Sequence, residues 1–229
     1  MTLLLRSFPK KRLFQLGCLV ATGFVAGCAS IDVKSNYKPP QQPTVNSSIS
    51  VNKPFDQAWN DFVRNLATSF FTVNTISKES RLINISLNKG RSNNFLDCGK
   101  VSYKINDKDW TFNPARNSSF KDGGFRSETI VEHKVTGRRG RMNIFVAPKG
   151  AVTVFEINTA YAIDMRQTGQ SSVRNLLGQV IDRDYLPESQ ASFEFTTKIP
   201  DTQPLRGVDI TCQATGQWEQ LILDLARGG

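Results

Sequence analysis

One histidine, His133, occurs in 229 residues. It has no second histidine with which to form a metal pair. No Gly-x-Ser-x-Gly elbow is present, so His133, set between Glu132 and Lys134 in an expected strand, has no hydrolase-type nucleophile to serve and is read as facing solvent. No glycine-rich phosphate loop occurs. The four cysteines never form Cys-x-x-Cys, which excludes a thioredoxin-like redox motif and a zinc knuckle. Asp182, Asp184 and Glu188 lack the glycine and terminal glutamate of a calcium loop and read as a solvated segment. These absences point away from an enzyme. No catalytic residue, metal ligand or cofactor is expected.

The N-terminus is what the chain does have. Arg6, Lys10, Lys11 and Arg12 precede an uncharged, mostly apolar run from Leu13 to Gly27. That order is the secretory-signal pattern, and the run falls short of the roughly 20 residues of a transmembrane helix. It ends in Val25-Ala26-Gly27-Cys28, which resembles the lipobox of bacterial lipoproteins. The resemblance implies a signal peptide over 1–27, cleavage before Cys28, and diacylglycerol and N-acyl chains (palmitate-type) on that cysteine. Several chains make a durable anchor where one does not. Ala29 rather than aspartate after the cysteine implies the outer membrane of a Gram-negative envelope, facing the periplasm. That compartment is oxidising. With Cys18 in the signal and Cys28 acylated, Cys98 and Cys212 remain to form a disulfide, the alternative being two free thiols.

The whole-chain charge is +9, unevenly spread. Residues 48–150 hold 17 Lys/Arg against 9 Asp/Glu, and residues 151–229 hold 6 against 10. A periplasmic protein meets no nucleic acid, so the expected anionic partners are lipid headgroups, lipopolysaccharide phosphates or acidic faces of envelope proteins.

Residues 28–48, with Pro39-Pro40 and Pro43, read as an acylated cysteine and flexible tether reaching some 50 Å. Residues 49–229 read as a single globular domain. Phe55, Trp59, Phe62, Val63 and Leu66 predict a helix over 54–68. Alternating runs predict a hairpin over 70–88 and strands at 98–105, 128–135, 142–146, 151–165 and 192–199, with 113–125 a loop. Gly137-Arg138-Arg139-Gly140-Arg141 reads as a hairpin tip carrying three arginines suited to phosphate or carboxylate. Val173, Leu176, Leu177, Val180 and Ile181 fit a short amphipathic helix inside an insertion around 166–190, and Trp218, Leu221, Ile222 and Leu225 a last helix over 216–226.

This order predicts an α+β fold, a curved antiparallel sheet packed by an N-terminal and a C-terminal helix in helix-grip fashion. The stretch from Lys53-Pro54-Phe55-Asp56 through Lys78-Glu79-Ser80-Arg81-Leu82-Ile83 resembles a segment of BamC-like outer-membrane lipoproteins over about 35 residues. The chain departs from the barrel-assembly subunit in its short tether and single domain. The resemblance implies a non-catalytic accessory or scaffolding subunit of an envelope complex, acting through protein–protein contacts. The alternative is a periplasm-facing carrier of lipid or another hydrophobic ligand beneath the long helix.

Overall fold

Residues 127–149 and 152–174 each make one strand of 23 residues, with buried and more exposed positions alternating over most of their length. The computed structural model describes residues 33–87, 94–105 and 107–228. In chain order the elements are β1 (Val33–Lys38), β2 (Ser48–Val51), α1 (Phe55–Ala67), β3 (Thr72–Ser77), β4 (Leu82–Ser86), β5 (Leu96–Asp97), β6 (Lys100–Ile105), β7 (Lys108–Phe112), β8 (Ser118–Gly123), β9 (Ser127–Lys149), β10 (Val152–Arg174), β11 (Val180–Thr196), β12 (Asp201–Leu205), β13 (Val208–Ala214) and α2 (Gln217–Arg227). The signal-type segment and Cys28 lie outside the described residues.

The helix-grip expectation is overturned. The described residues are 61% strand and 13% helix, in three sheets with two helices. The reason is length. A 23-residue strand extends about 75 Å, whereas the 13-residue α1 covers about 20 Å. The helices cover only one end of the long strands. The sheet runs β11-β10-β9-β4-β3, with β2 on β10 and β8 on β9. Each long strand thus divides one edge between two partners shorter than itself, β4 and β8 on β9, β2 and the 17-residue β11 on β10. Two three-stranded sheets, β1-β6-β7 and β12-β13-β5, complete the fold.

A bulge at Thr136 divides β9, because Val135 pairs with Met165 but Gly137 with Asp164. One extra residue switches which parity faces the core. Val131 and His133 are buried before it, Met142, Ile144 and Val146 after it.

Pro54 opens α1, where its missing N–H costs nothing. Trp59, Phe62 and Leu66 bury one face, and the Phe62 ring meets Phe155 of β10 at 5.1 Å. Asn65 Nδ2 donates to the Leu225 carbonyl at 3.0 Å, tying α1 to α2. Trp218 of α2 is fully buried among Phe71, Phe95 and Tyr161. Glu219, also buried, accepts from Tyr161 Oη at 2.8 Å and Thr197 Oγ1 at 2.6 Å. As the third residue of α2 it stands where the helix dipole favours a negative charge. Cys98 and Cys212 are bonded, S–S 2.02 Å, across a sequence separation of 114.

Three further expectations change. Residues 33–38 are strand β1, paired with β6, rather than tether. The strand and the polypeptide after it are both packed: Tyr37 Oη of β1 donates to the Thr211 carbonyl at 3.0 Å, and beyond β1 the Gln41 carbonyl accepts from Gln213. The expected loop at 113–125 contains β8. No helix forms at 173–181. Asn175 Oδ1 accepts from the Leu177 and Gln179 amides, and Gly178 sits at φ +79°, so the segment is the turn joining β10 to β11.

Candidate functional site

The three arginines are not on a hairpin tip. They lie in the middle of β9, opposite β10. The flanking glycines mark close approach instead of a turn. A Cβ at Gly137 would stand 2.4 Å from Asp164 Oδ2, and one at Gly140 would meet Leu87 and Trp218 at 2.6 and 2.7 Å.

Alternation along the strands sends Arg139 and Arg141 outward from β9, Ala160 and Ala162 from β10, and Glu194 and Thr196 from β11. The register aligns Ser86, Arg141, Ala160 and Thr196 in one row, and Arg139, Ala162 and Glu194 in the next. Two alanines between long side chains leave a hollow. The result is an open cleft of about 620 Å³ floored by alanine, with arginine on one wall and Glu194 with Thr196 on the other. At one strand spacing per step, the walls stand roughly 10 Å apart.

The arginines divide by partner. Arg139 pairs with Asp164 at 3.1 Å, and Asp164 also accepts from Ser192 Oγ at 2.6 Å. Arg138, of opposite parity, donates through Nη2 to the Ala115 carbonyl at 2.6 Å and so braces the 113–117 turn. Burial first, and then the charge of Arg116, lowers its pKa, and as a guanidinium it stays charged. The Arg141 side chain has no hydrogen bond or ion pair among the described residues and is exposed. A free guanidinium above an apolar floor suits a carboxylate, gripped in bidentate fashion. Ala160, Ala162 and Glu194 were missed by sequence reasoning. The signal was there in Thr159-Ala160-Tyr161-Ala162-Ile163, where small residues occupy alternate positions of a strand whose other face is large or branched.

His133 corrects the solvent-facing expectation: it is fully buried. Its Nε2 donates to the Pro114 carbonyl at 2.7 Å, and its ring packs on Phe112. Burial, opposed in part by that hydrogen bond, holds its pKa below the ordinary 6.5. The unfolded chain therefore takes up a proton before the folded one does. Stability attributable to neutral His133 is complete above about pH 6.5 and is lost as pH falls toward the lower folded value. Urea titrations at neutral and at acid pH should show this loss in the native chain and a smaller one in His133→Gln. An equal loss in both would assign the acid sensitivity to other groups.

Asp182 and Asp184 are exposed on β11, and Glu188 pairs with Arg166. Among the described residues there is no group of three metal-ligating side chains, and no helix is long and apolar enough to cross a membrane. The chain matches no family model, no curated protein and no solved structure.

Proposed function

We propose that this chain is a non-catalytic envelope lipoprotein, anchored through Cys28 in the outer membrane and facing the periplasm. It acts as an accessory subunit by holding an extended acidic segment of a partner protein across its open sheet face. The observation that carries this reading is the alanine-floored cleft with Arg141 free on its wall. Arg139 beside it is held by its ion pair with Asp164, while Arg141 supplies the charge that a carboxylate would complete. Glu194 on the opposite wall adds selectivity, since it repels a segment acidic on both edges.

The carrier reading draws less support. The space between helices and sheet, where a hydrophobic ligand would sit, is occupied by Phe62, Phe155, Phe71, Phe95 and Trp218.

A photo-reactive residue at Thr196 tests the cleft in intact cells. A discrete crosslinked envelope protein is expected. Arg139→Glu with Arg141→Glu should lower its yield by about tenfold or more, as reversal of a contacting charge does, while leaving the chain membrane-bound. An unchanged yield removes the arginines from the proposal.

A further inference from the structure

Among the described residues, seven of the thirteen exposed large hydrophobic side chains gather at one end of the long strands: Phe125, Val173, Leu176, Leu177, Val180, Ile181 and Tyr185. Leu177 is 84% exposed, Leu176 72%, Phe125 64% and Ile181 63%. Two turns build this end. The first, at 124–126, joins β8 to β9, and the second, at 175–179, joins β10 to β11. They are locked side by side, since the Arg174 amide donates to the Arg126 carbonyl at 2.7 Å. Asn175 pins the second turn through the Leu177 and Gln179 amides. The apolar residues are therefore presented on a fixed, convex tip. A convex apolar knob requires no preformed groove in what receives it, which favours a bilayer over a protein surface.

The path of the chain says which bilayer. Val33, the first described residue, pairs with Ile105, which pairs with Lys108. Lys108 forms an ion pair with Asp122 of β8, and Asp122 continues the row through Thr129 to Ser171. From this row β1 runs away from the tip, so the polypeptide enters the fold on the tip's side. Arg174 is three residues beyond Ser171, which places the tip roughly 10–15 Å past the row. Cys28 precedes Val33 by five residues, a span of at most about 18 Å. The two reaches match. Charges around the tip nearly cancel, with Lys108, Lys121, Arg126, Arg174 and Arg183 against Asp122, Glu128, Asp182 and Asp184. Apolar insertion rather than headgroup attraction must carry the contact. Tyr185, exposed one strand segment behind the tip, has the amphipathic ring favoured at the membrane interface.

We propose that the paired turns form a membrane-seated tip, placing Phe125, Leu176, Leu177 and Ile181 among the acyl chains of the bilayer that anchors the chain. This rests on the anchoring proposed for Cys28. The tip and the anchor then hold the domain at two points, which fixes the orientation of the arginine cleft relative to the membrane.

The test uses the full chain in vesicles of phosphatidylethanolamine and phosphatidylglycerol. An environment-sensitive nitrobenzoxadiazole label is placed at Leu177→Cys, or at Gly150→Cys in the turn at the opposite end. Emission from position 177 should shift to the blue, be quenched by spin-labelled lipid and resist high salt, while position 150 stays aqueous. Leu176→Asp with Leu177→Asp should weaken the quenching of a label at Phe125→Cys by about tenfold, because the apolar area that drives insertion is gone. Flotation and the mass of the Cys28 peptide report the anchor separately. An acylated, floating chain whose 177 label remains aqueous overturns the tip and leaves the anchor. An unacylated chain whose 177 label still turns apolar on vesicles supports the tip and removes the anchor. A shift without vesicles, with a doubled mass in solution, assigns the tip to a second copy and overturns the proposal.

Discussion

Replacing Cys98 and Cys212 by alanine is expected to lower stability by roughly 4–5 kcal/mol, the chain-entropy cost of releasing a loop of this size. The bond joins the segment after β5 to β13, 114 residues later, with both cysteines fully buried. Without it, nearly all of the long-strand sheet lies on an open loop of the unfolded chain. At about 2–4 °C per kcal/mol for a domain of this length, the midpoint of thermal unfolding should fall by roughly 10–20 °C. Calorimetry of the double alanine variant, and of the native chain under reductant, provides the measurement. A fall of only a degree or two would mean that the unfolded ensemble already holds these segments together.

Trp218→Ala carries the second large effect, about 3–5 kcal/mol, since an aromatic-to-alanine change in a packed core loses both transfer energy and the cavity left behind. The indole lies between the helices and the sheet, its ring centre 6.0 Å from Phe71, 6.2 Å from Phe95 and 5.7 Å from Tyr161. Gly140 has no side chain because the indole and Leu87 occupy that space. Gly140→Ala is therefore destabilising in the native chain and less so beside Trp218→Ala, a coupling of at least about 0.5 kcal/mol in a double-mutant cycle. Urea unfolding followed by circular dichroism measures both. Additive costs would mean that the Trp218 ring does not press on β9.

What could be read from the sequence was local. Trp59, Phe62 and Leu66 repeat at helical spacing because a single helix face is buried, so α1 was legible, as was α2 from Trp218 and Ile222. The β3–β4 hairpin was legible because its strands are neighbours in the chain. What failed was non-local. Gly137 and Gly140 look like turn residues until Asp164, Leu87 and Trp218 are seen against them. Val173 to Ile181 has helical spacing because its apolar residues crowd a turn, and periodicity alone does not distinguish a buried face from a presented one. His133 was assigned to a strand correctly and to the wrong face, because the cover over it comes from Phe112 and Pro114, about twenty residues earlier. Strand β1 pairs with β6 more than sixty residues later, so nothing near Pro39-Pro40 announces it. The cleft suffered the same way, since its walls come from β9 and β11 and its floor from β10.

The claim that an acidic partner occupies this cleft is tested most directly by recovering the tagged, acylated protein from native membranes in gentle detergent and identifying what accompanies it. A stoichiometric envelope protein is expected, its recovery lost with Arg139→Glu and Arg141→Glu. Protein recovered alone, or with lipid held in its interior, would contradict it.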